Sequence, residues 1–433
     1  MADDARVTLW GSTIGAVTWV GERRVGVFQY TPEFLGSGME VAPLMMPLRE
    51  FPYEFPEHAR SSFVGLPGLL ADSLPDAFGN AVINEGLVLE GRDRDSFHPV
   101  ERLCYTGTRG MGALEFQPAI LGPSSEKSVV EVAKLVELAR RILDERGNLG
   151  GVFRGEDDRK AIEDILRVGT SAGGARAKAI LAWNPATGEF RSGQVPVDPG
   201  FEHWIMKFDG VSNGSDRLLA TPRGYGKIEY AYSLMARASG IQMTRCHLHD
   251  EGGRSHFMTK RFDRTEAGRK LHVQSLAAIA HYDYNQPSRY SYEQALQVIR
   301  RLGLPREDLE QQVLRAIFNV VGCNQDDHVK NIAFLMDRSG EWRLSPAFDI
   351  SYARNVGTGW TNQHQMSANG KRDGFDRADL IALAHAADIK KPRANEMIDR
   401  VLHVFREWPS YAAEAGVPED RIETIVSHLR TKL

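Results

Sequence analysis

Cysteine is scarce. Only Cys104, Cys246 and Cys323 occur in 433 residues, and no two stand at C-x-x-C spacing. Three scattered thiols exclude a disulfide framework and argue for a reducing compartment. Long apolar runs are missing as well: nothing approaches the ~18 residues that a membrane-spanning helix needs. The first residues, MADDARVTLWG, are acidic and lack the apolar core of a signal peptide, so a cytoplasmic protein without membrane contact is expected. Charge of neither sign dominates, with 53 Lys and Arg against 57 Asp and Glu and a net charge of -4. That balance excludes a chain-wide basic field for nucleic acid and leaves a local patch or a DNA-binding partner. At 42% hydrophobic and 25% charged, the chain has a globular composition and the length for two or three domains.

Residues 7–116 read mainly as short strands, rich in β-branched and aromatic residues between glycine turns. A helical patch interrupts from Leu66 to Val82, with Asp72, Ser73 and Pro75 as start signals. Gly107 to Gly112 precedes an apolar strand rather than a helix and reads as a strand-flanking turn. Pro123 to Ser128 reads as a linker, Val129 to Asp144 as an amphipathic helix, Gly147 to Gly155 as a connector and Ala161 to Arg167 as a short helix. His203 to Asp209 and His256 to Arg264 read as strands, with a helix around Glu229 to Ser239 between them. From about Gln274 the chain is largely helical. Ser291 to Gln294 fits a capping box, Pro305 opens a helix ending near Val320, and 379–386, 394–408 and 418–429 are amphipathic.

The most informative stretch runs from Val320 to Ile350 and reads VVGCNQDDHVKNIAFLMDRSGEWRLSPAFDI. A helix ends, and a polar loop collects Asn324, Asp326, Asp327, His328 and Asn331. A strand from Ile332 to Met336, a turn from Asp337 to Gly340 and a strand from Trp342 to Leu344 lead to Asp349. Two strands on a tight turn bring Asp326, Asn331 and Asp349 near one another. Such a set suits phosphoryl transfer, in which a protein positions a hydroxyl beside a carboxylate and holds Mg²⁺ on a triphosphate through hard oxygens. Protein kinases space their catalytic Asp and metal-binding Asn as D-x-x-x-x-N and place a second metal-binding Asp after a hairpin, and these three residues match. Asp and Asn also cap helices and make turns, so a structural loop stays open on this stretch alone. Zinc fits poorly, because His328 lacks a second His or Cys at ligand spacing.

Upstream, Gly169-Thr170-Ser171-Ala172-Gly173-Gly174-Ala175-Arg176-Ala177-Lys178 combines small residues with terminal charge. Small side chains let backbone N–H groups approach a polyphosphate as an anion-binding nest, and Lys178 is placed to add charge. The spacing of a P-loop is absent, and a flexible hairpin tip is the other reading. Lys207 lies in an alternating strand, where a lysine either faces solvent or, as in kinases, binds the α/β-phosphates.

Glycine loop, strand lysine, hinge strand and catalytic loop follow one another in the order of a two-lobed kinase. The motifs 171–178, Lys207, Lys260 to Arg264, Asn324 to Asn331 and Asp349, with Leu70 to Asp76 and Asn369 to Asp373, together resemble the HipA family over nearly the whole chain. These are serine/threonine-kinase toxins of bacterial type II toxin–antitoxin systems. The resemblance implies an α+β, two-lobed protein-kinase-like fold with a β-rich N-terminal part and an all-helical C-terminal lobe, divided as 1–125, 126–270 and 271–433. It implies ATP and Mg²⁺ as cofactors, Asp326 as catalytic base, His328 in the active-site network, and Asn331 and Asp349 on the metal. Ala172, Gly173, Gly174, Ala175, Arg176, Ala177, Lys178 and Lys207 would hold phosphates. The main chain of Lys260 and Phe262 would meet adenine, with Asp263 and Gln274 near the nucleoside.

Ser171 resembles the family's autophosphorylated serine, whose added charge expels the glycine loop from beside the ATP phosphates. The implied partners are a HipB-like helix-turn-helix antitoxin, operator DNA through that antitoxin, and a protein substrate such as an aminoacyl-tRNA synthetase, typically the glutamyl enzyme. Asn324-Gln325-Asp326 stands where ordinary protein kinases have His-Arg-Asp, and Ile350 rather than Phe-Gly follows Asp349; HipA-like proteins share both departures. A small-molecule phosphotransferase on the same fold and a non-catalytic, nucleotide-holding corepressor partner of a helix-turn-helix protein are the alternatives.

Overall fold

The computed structural model describes residues 3–89, 91–93, 97–120, 129–144, 176–194, 197–211, 223–357 and 359–433. They separate into two units: Met1–Glu40, Pro47–Arg223 and His247–Val273 in the first, Val41–Met46, Gly224–Cys246 and Gln274–Leu433 in the second. The first unit therefore spans both of the subdomains expected before residue 271, apart from the short segment at 41–46 and the segment at 224–246. The expected linker 123–128, connector 147–155 and helix 161–167 lie outside the described residues. Among the described residues no helix is long and apolar enough to cross a membrane.

In the first unit, alternating apolar residues build β1 (Asp4–Leu9), β2 (Ser12–Val20) and β3 (Val25–Tyr30), and β4 (Leu114–Gln117) returns to β1, giving the order β3-β2-β1-β4. A second sheet holds β5 (Lys178–Trp183), β6 (Phe190–Ser192), β7 (Glu202–Lys207), β8 (Cys246–Glu251) and β9 (Arg254–Lys260) in the order β6-β5-β7-β9-β8. Its buried face packs Ala179, Leu181, Trp204, Met206 and Met258 against Leu135, Val136 and Ala139 of the helix Val132–Asp144. The expectation of mainly strands before residue 116 needs correction, because helices Ala77–Leu89 and Pro99–Thr106 stand between β3 and β4. The second escaped notice because its N-cap is His98, whose ring accepts from the Glu101 N–H in place of the usual Ser, Thr or Asp.

Two buried charge clusters fasten this unit. The Asp263 carboxylate, 0% exposed, accepts from Arg261 Nε at 2.8 Å and Nη2 at 2.7 Å, from Arg264 Nη1 at 2.6 Å and from the Gly112 N–H at 2.7 Å. Three of these donors converge on Oδ2 and one on Oδ1. Burial works to raise this carboxyl, but the two guanidiniums and the Gly112 N–H outweigh it and hold it far below the usual range. The other cluster joins Lys178 to Asp76, both buried, with Nζ 3.6 Å from Oδ2. Lys178 stands directly opposite Lys207 in the β5–β7 register, so the Asp76 charge also relieves a cross-strand repulsion.

The second unit is helical, with one small sheet. The expected capping box forms at Ser291 and Gln294 ahead of the helix Tyr292–Arg301, and the helix Arg306–Val321 delivers the chain to the polar loop. Aromatic rings of Tyr232, Phe318, Phe405 and Trp408 meet in the core. Gly322 ends the delivering helix because a β-carbon there would lie 2.3 Å from the Phe405 ring. Past the loop, β11 (Ala333–Met336) and β12 (Trp342–Leu344) form the expected hairpin. The sheet order is β10-β11-β12, where the last two residues of β10 (His272–Ser275) belong to this unit.

One carboxylate fixes the polar loop. Asp327 is buried and accepts from the Tyr292 hydroxyl, His364 Nδ1 and the Gln365 N–H, each at 2.7 Å. Arg430 Nη1 stands 3.2 Å from His364 Nε2. Guanidinium carries only donors, so the ring accepts at Nε2 and donates from Nδ1 to Asp327. Burial pushes the Asp327 carboxyl up, and His364, Tyr292 and Gln365 more than compensate, holding it below the usual range.

These clusters set measurable costs. Asp263→Ala strands two buried guanidiniums and is expected to destabilise the protein by roughly 3–5 kcal/mol in chemical denaturation. Folding depresses the Asp263 pKa, so the wild-type advantage is full above the ordinary carboxylate range and shrinks as pH falls below it. An advantage that grew on acidification would contradict the assignment. Asp327→Asn replaces one acceptor oxygen by a donor, which must face either both the Tyr292 and His364 donors or the Gln365 N–H, at a cost of about 1–3 kcal/mol. Amide hydrogen exchange over 324–331 should quicken accordingly.

Candidate functional site

The loop after Val321 places its groups through local bonds. Cys323 and Asp349 both adopt left-handed backbone, each at φ 51°, and so turn the chain sharply at the two ends of the segment. Asn324 spans between them: its Nδ2 donates to Asn319 Oδ1 at 2.9 Å and to the Asp349 carbonyl at 3.4 Å. The Gln325 N–H donates to the Ala353 carbonyl at 2.9 Å, and the Ala353 N–H to Cys323 O at 3.1 Å. The chain before Asp326 and the chain after Asp349 are thereby stitched together.

Asn331 Nδ2 donates to the Asp326 carbonyl at 2.8 Å. That bond orients the amide and leaves Oδ1, a hard oxygen, as its remaining acceptor. Asn331 and Asp349 line one cavity of about 20 Å³, with Asn324, Asp327 and His328 also in its wall. Three buried polar atoms of its lining, Gln312 Oε1, Arg315 Nε and His328 Nδ1, lack a hydrogen-bond partner among the described residues. The space is of the size of about one water. Among the described residues no group of three or more His, Cys, Asp or Glu could hold a metal. One carboxylate and one amide oxygen do fit Mg²⁺, which keeps several waters and takes its other ligands from phosphates.

The Asp326 side chain keeps 44% of its surface and lies with Oδ1 3.8 Å from His328 Nε2. Packing around the buried part of the side chain lifts the carboxyl above the usual range, His328 and a hydrogen bond from Trp360 oppose the rise, and the carboxylates of Asp349 and Asp327 add to it. A carboxylate raised in this way is the better proton acceptor. The second unit thus brings Asp326, His328, Asn331 and Asp349 together as expected. Trp360, His364 and Asp327 complete the set. The first two were missed because they lie some 30 residues beyond the motif, without a spacing that links them to it. Asp327 was read only as loop.

In the first unit, Lys207 ends β7 with its Nζ 5.7 Å from the Phe257 ring centroid. Ala177 is buried and gives its carbonyl to the Phe208 N–H, while Arg176 is half-buried. Lys178 points to Asp76, so any phosphate contact from this residue falls to its main chain. Lys260 Nζ pairs with Glu202 at 3.1 Å and Glu266 at 3.0 Å. The Arg261 N–H donates to the His203 carbonyl of β7, and strand alternation turns the main-chain groups of Lys260 to the other edge, while Phe262 lies in the turn that follows. Two residues expected near a nucleoside are buried: Asp263 accepts four protein donors, three of them on Oδ2, and Gln274, in the second unit, donates its amide to Val41 O. A buried structural carboxylate and a ligand-facing one look alike in sequence. Ser171, Ala172, Gly173, Gly174 and Ala175 lie outside the described residues.

Comparison with known proteins bears on this arrangement. A family model described as the HipA-like C-terminal domain matches residues 170–409, and one described as the HipA N-terminal domain matches residues 5–117. No curated protein matches. Among solved structures, a chain of the Shewanella oneidensis MR-1 toxin antitoxin system HipA, HipB and operator DNA complex is similar over 98% of this chain and 94% of its own, with a TM-score of 0.66 and 16% identity. At that identity the likeness is one of fold, and it carries the expected architecture of a β-rich N-terminal part and a helical C-terminal region. With its C-terminal family model alone matching more than half of the sequence, and the N-terminal model matching ahead of it, the chain belongs to the HipA family.

Proposed function

We propose that this chain is an ATP- and Mg²⁺-dependent protein serine/threonine kinase, the toxin of a HipA/HipB-like toxin–antitoxin pair. The observation that carries the reading is the hydrogen bond from Asn331 to the Asp326 carbonyl beside the pocket that Asn331 shares with Asp349. Asp326 accepts the proton of a substrate hydroxyl as its oxygen bonds to the γ-phosphorus and the bond to the ADP oxygen breaks. His328, 3.8 Å away, biases the charge of that carboxylate. Asn331 Oδ1 and Asp349 would hold Mg²⁺, which when bound neutralises charge on the phosphates. Lys207 and the main chain of 172–178 would hold phosphates, and Lys260 and Phe262 adenine.

By analogy with the Shewanella complex, the partners are a HipB-like helix-turn-helix antitoxin and, through it, operator DNA. A net charge of -4 suits a division in which the antitoxin supplies most phosphate contacts. The substrate is a translation component of the aminoacyl-tRNA synthetase class in the cytoplasm, and phosphorylation of Ser171 inactivates the kinase.

Intact mass after incubation with Mg-ATP, with the phosphosite mapped, tests the reading. Wild type should gain one phosphate on Ser171, and Asp326→Ala should slow the gain by roughly 10²–10⁴-fold. Equal phosphate on both would remove Asp326 as base. None on either, with ATP bound and prior phosphorylation excluded, would favour a metabolite phosphotransferase or a nucleotide-holding corepressor. The metal roles have their own signature: Asn331→Ala should raise the Mg²⁺ concentration for half-maximal transfer, a shift that Asp326→Ala should not share.

A further inference from the structure

One oxygen of the Asp326 carboxylate is held by an indole. Trp360 Nε1 donates to Asp326 Oδ1 at 2.7 Å, the short distance of a bond to an ionised acceptor. Trp360 exposes 38% of its surface, an unusual state for the largest apolar side chain, beside Val356 at 75%. Its ring is 6.4 Å from that of His328, which is 6.0 Å from Tyr284, so three aromatic groups edge the carboxylate. The segment is anchored to the loop it covers: Gln365 Nε2 donates to Trp360 O and, at 3.2 Å, to the carbonyl of Gln325, the residue before Asp326. An indole N–H donates and never accepts, so Trp360 takes no part in moving a proton. It occupies one acceptor oxygen of the base.

We propose that Trp360 is a latch on the catalytic base, a positioning residue whose indole N–H holds Asp326 Oδ1 until an incoming protein segment displaces the ring. This rests on Asp326 being the base. With the site empty of acceptor, the donated N–H weakens the carboxylate as a proton acceptor. An acceptor chain docking on the Tyr284–His328–Trp360 edge trades its own contacts for the indole bond and frees Oδ1 as its hydroxyl arrives. Docking and base availability are thereby coupled, which favours a polypeptide acceptor over a small molecule that cannot move the ring.

The test uses full-length protein, Mg-ATP and water as the only acceptor. In that reaction the water oxygen bonds to the γ-phosphorus, the bond to the ADP oxygen breaks and the proton passes to Asp326. Trp360→Phe keeps a ring and removes the donor, and should raise ATP hydrolysis about tenfold, the order that one charge-assisted hydrogen bond commands. The rise should vanish in an Asp326→Asn background. With the seven tryptophan indoles ¹⁵N-labelled, the N–H resonance lost in Trp360→Phe should lie downfield in wild type and move upfield in Asp326→Asn. Hydrolysis unchanged or lowered in Trp360→Phe, with thermal unfolding as in wild type, overturns the latch and makes the indole a mere support. Asp326→Asn hydrolysing at the wild-type rate overturns the base assignment itself, and the latch with it.

Discussion

A carboxylate with no access to water survives only if donors surround it, and the second unit is arranged around one such group. Asp327 draws a hydroxyl from the helix Tyr292–Arg301, a ring and a backbone N–H from 364–365 and, through that ring, a guanidinium from near the C-terminus. Three distant stretches of chain converge on one side chain whose neighbours in sequence are Asp326 and His328. The net contribution of such a cluster to stability is small beside its cost if incomplete. Its effect is to make one loop geometry the only inexpensive one. Asp326 thus stands on a rigid base while its own side chain stays half in solvent.

The two ends of that loop are fixed by different means. Cys323 and Asp349 each accept left-handed backbone, at a cost of roughly 1 kcal/mol apiece. The compensation is the double stitch of Gln325 and Ala353 and the Asn324 amide bridging Asn319 and Asp349. Strain at Asp349, the proposed metal ligand, is thus held by neighbouring groups of the chain, which is how a site stays shaped before its ligand arrives.

Much of this was legible in the sequence because it is local. The hairpin 333–344, the capping box at Ser291 and the D-x-x-x-x-N spacing depend on residues within a few positions of one another. What was not legible depends on distance along the chain. The His364 ring and the Trp360 indole reach a loop more than 30 residues earlier, and no periodicity announces that. The burial of Asp263 between two arginines was not legible either, because sequence gives side-chain chemistry without burial. The helix Pro99–Thr106 failed for a smaller reason, an imidazole doing the work of a hydroxyl at its N-cap.

The N-terminal and C-terminal family models divide this chain between residues 117 and 170, yet the ion clusters of the first unit ignore that division. Asp76 and Gly112 lie in one part, Lys178 and Asp263 in the other, and each cluster needs both. A fragment beginning at residue 170 would carry a lysine made to be buried beside a carboxylate it no longer has. The two sequence modules are therefore not interchangeable parts. In any exchange of N-terminal modules between relatives, the foreign module must bring its own acid opposite residue 178, so the pair inherits as a unit.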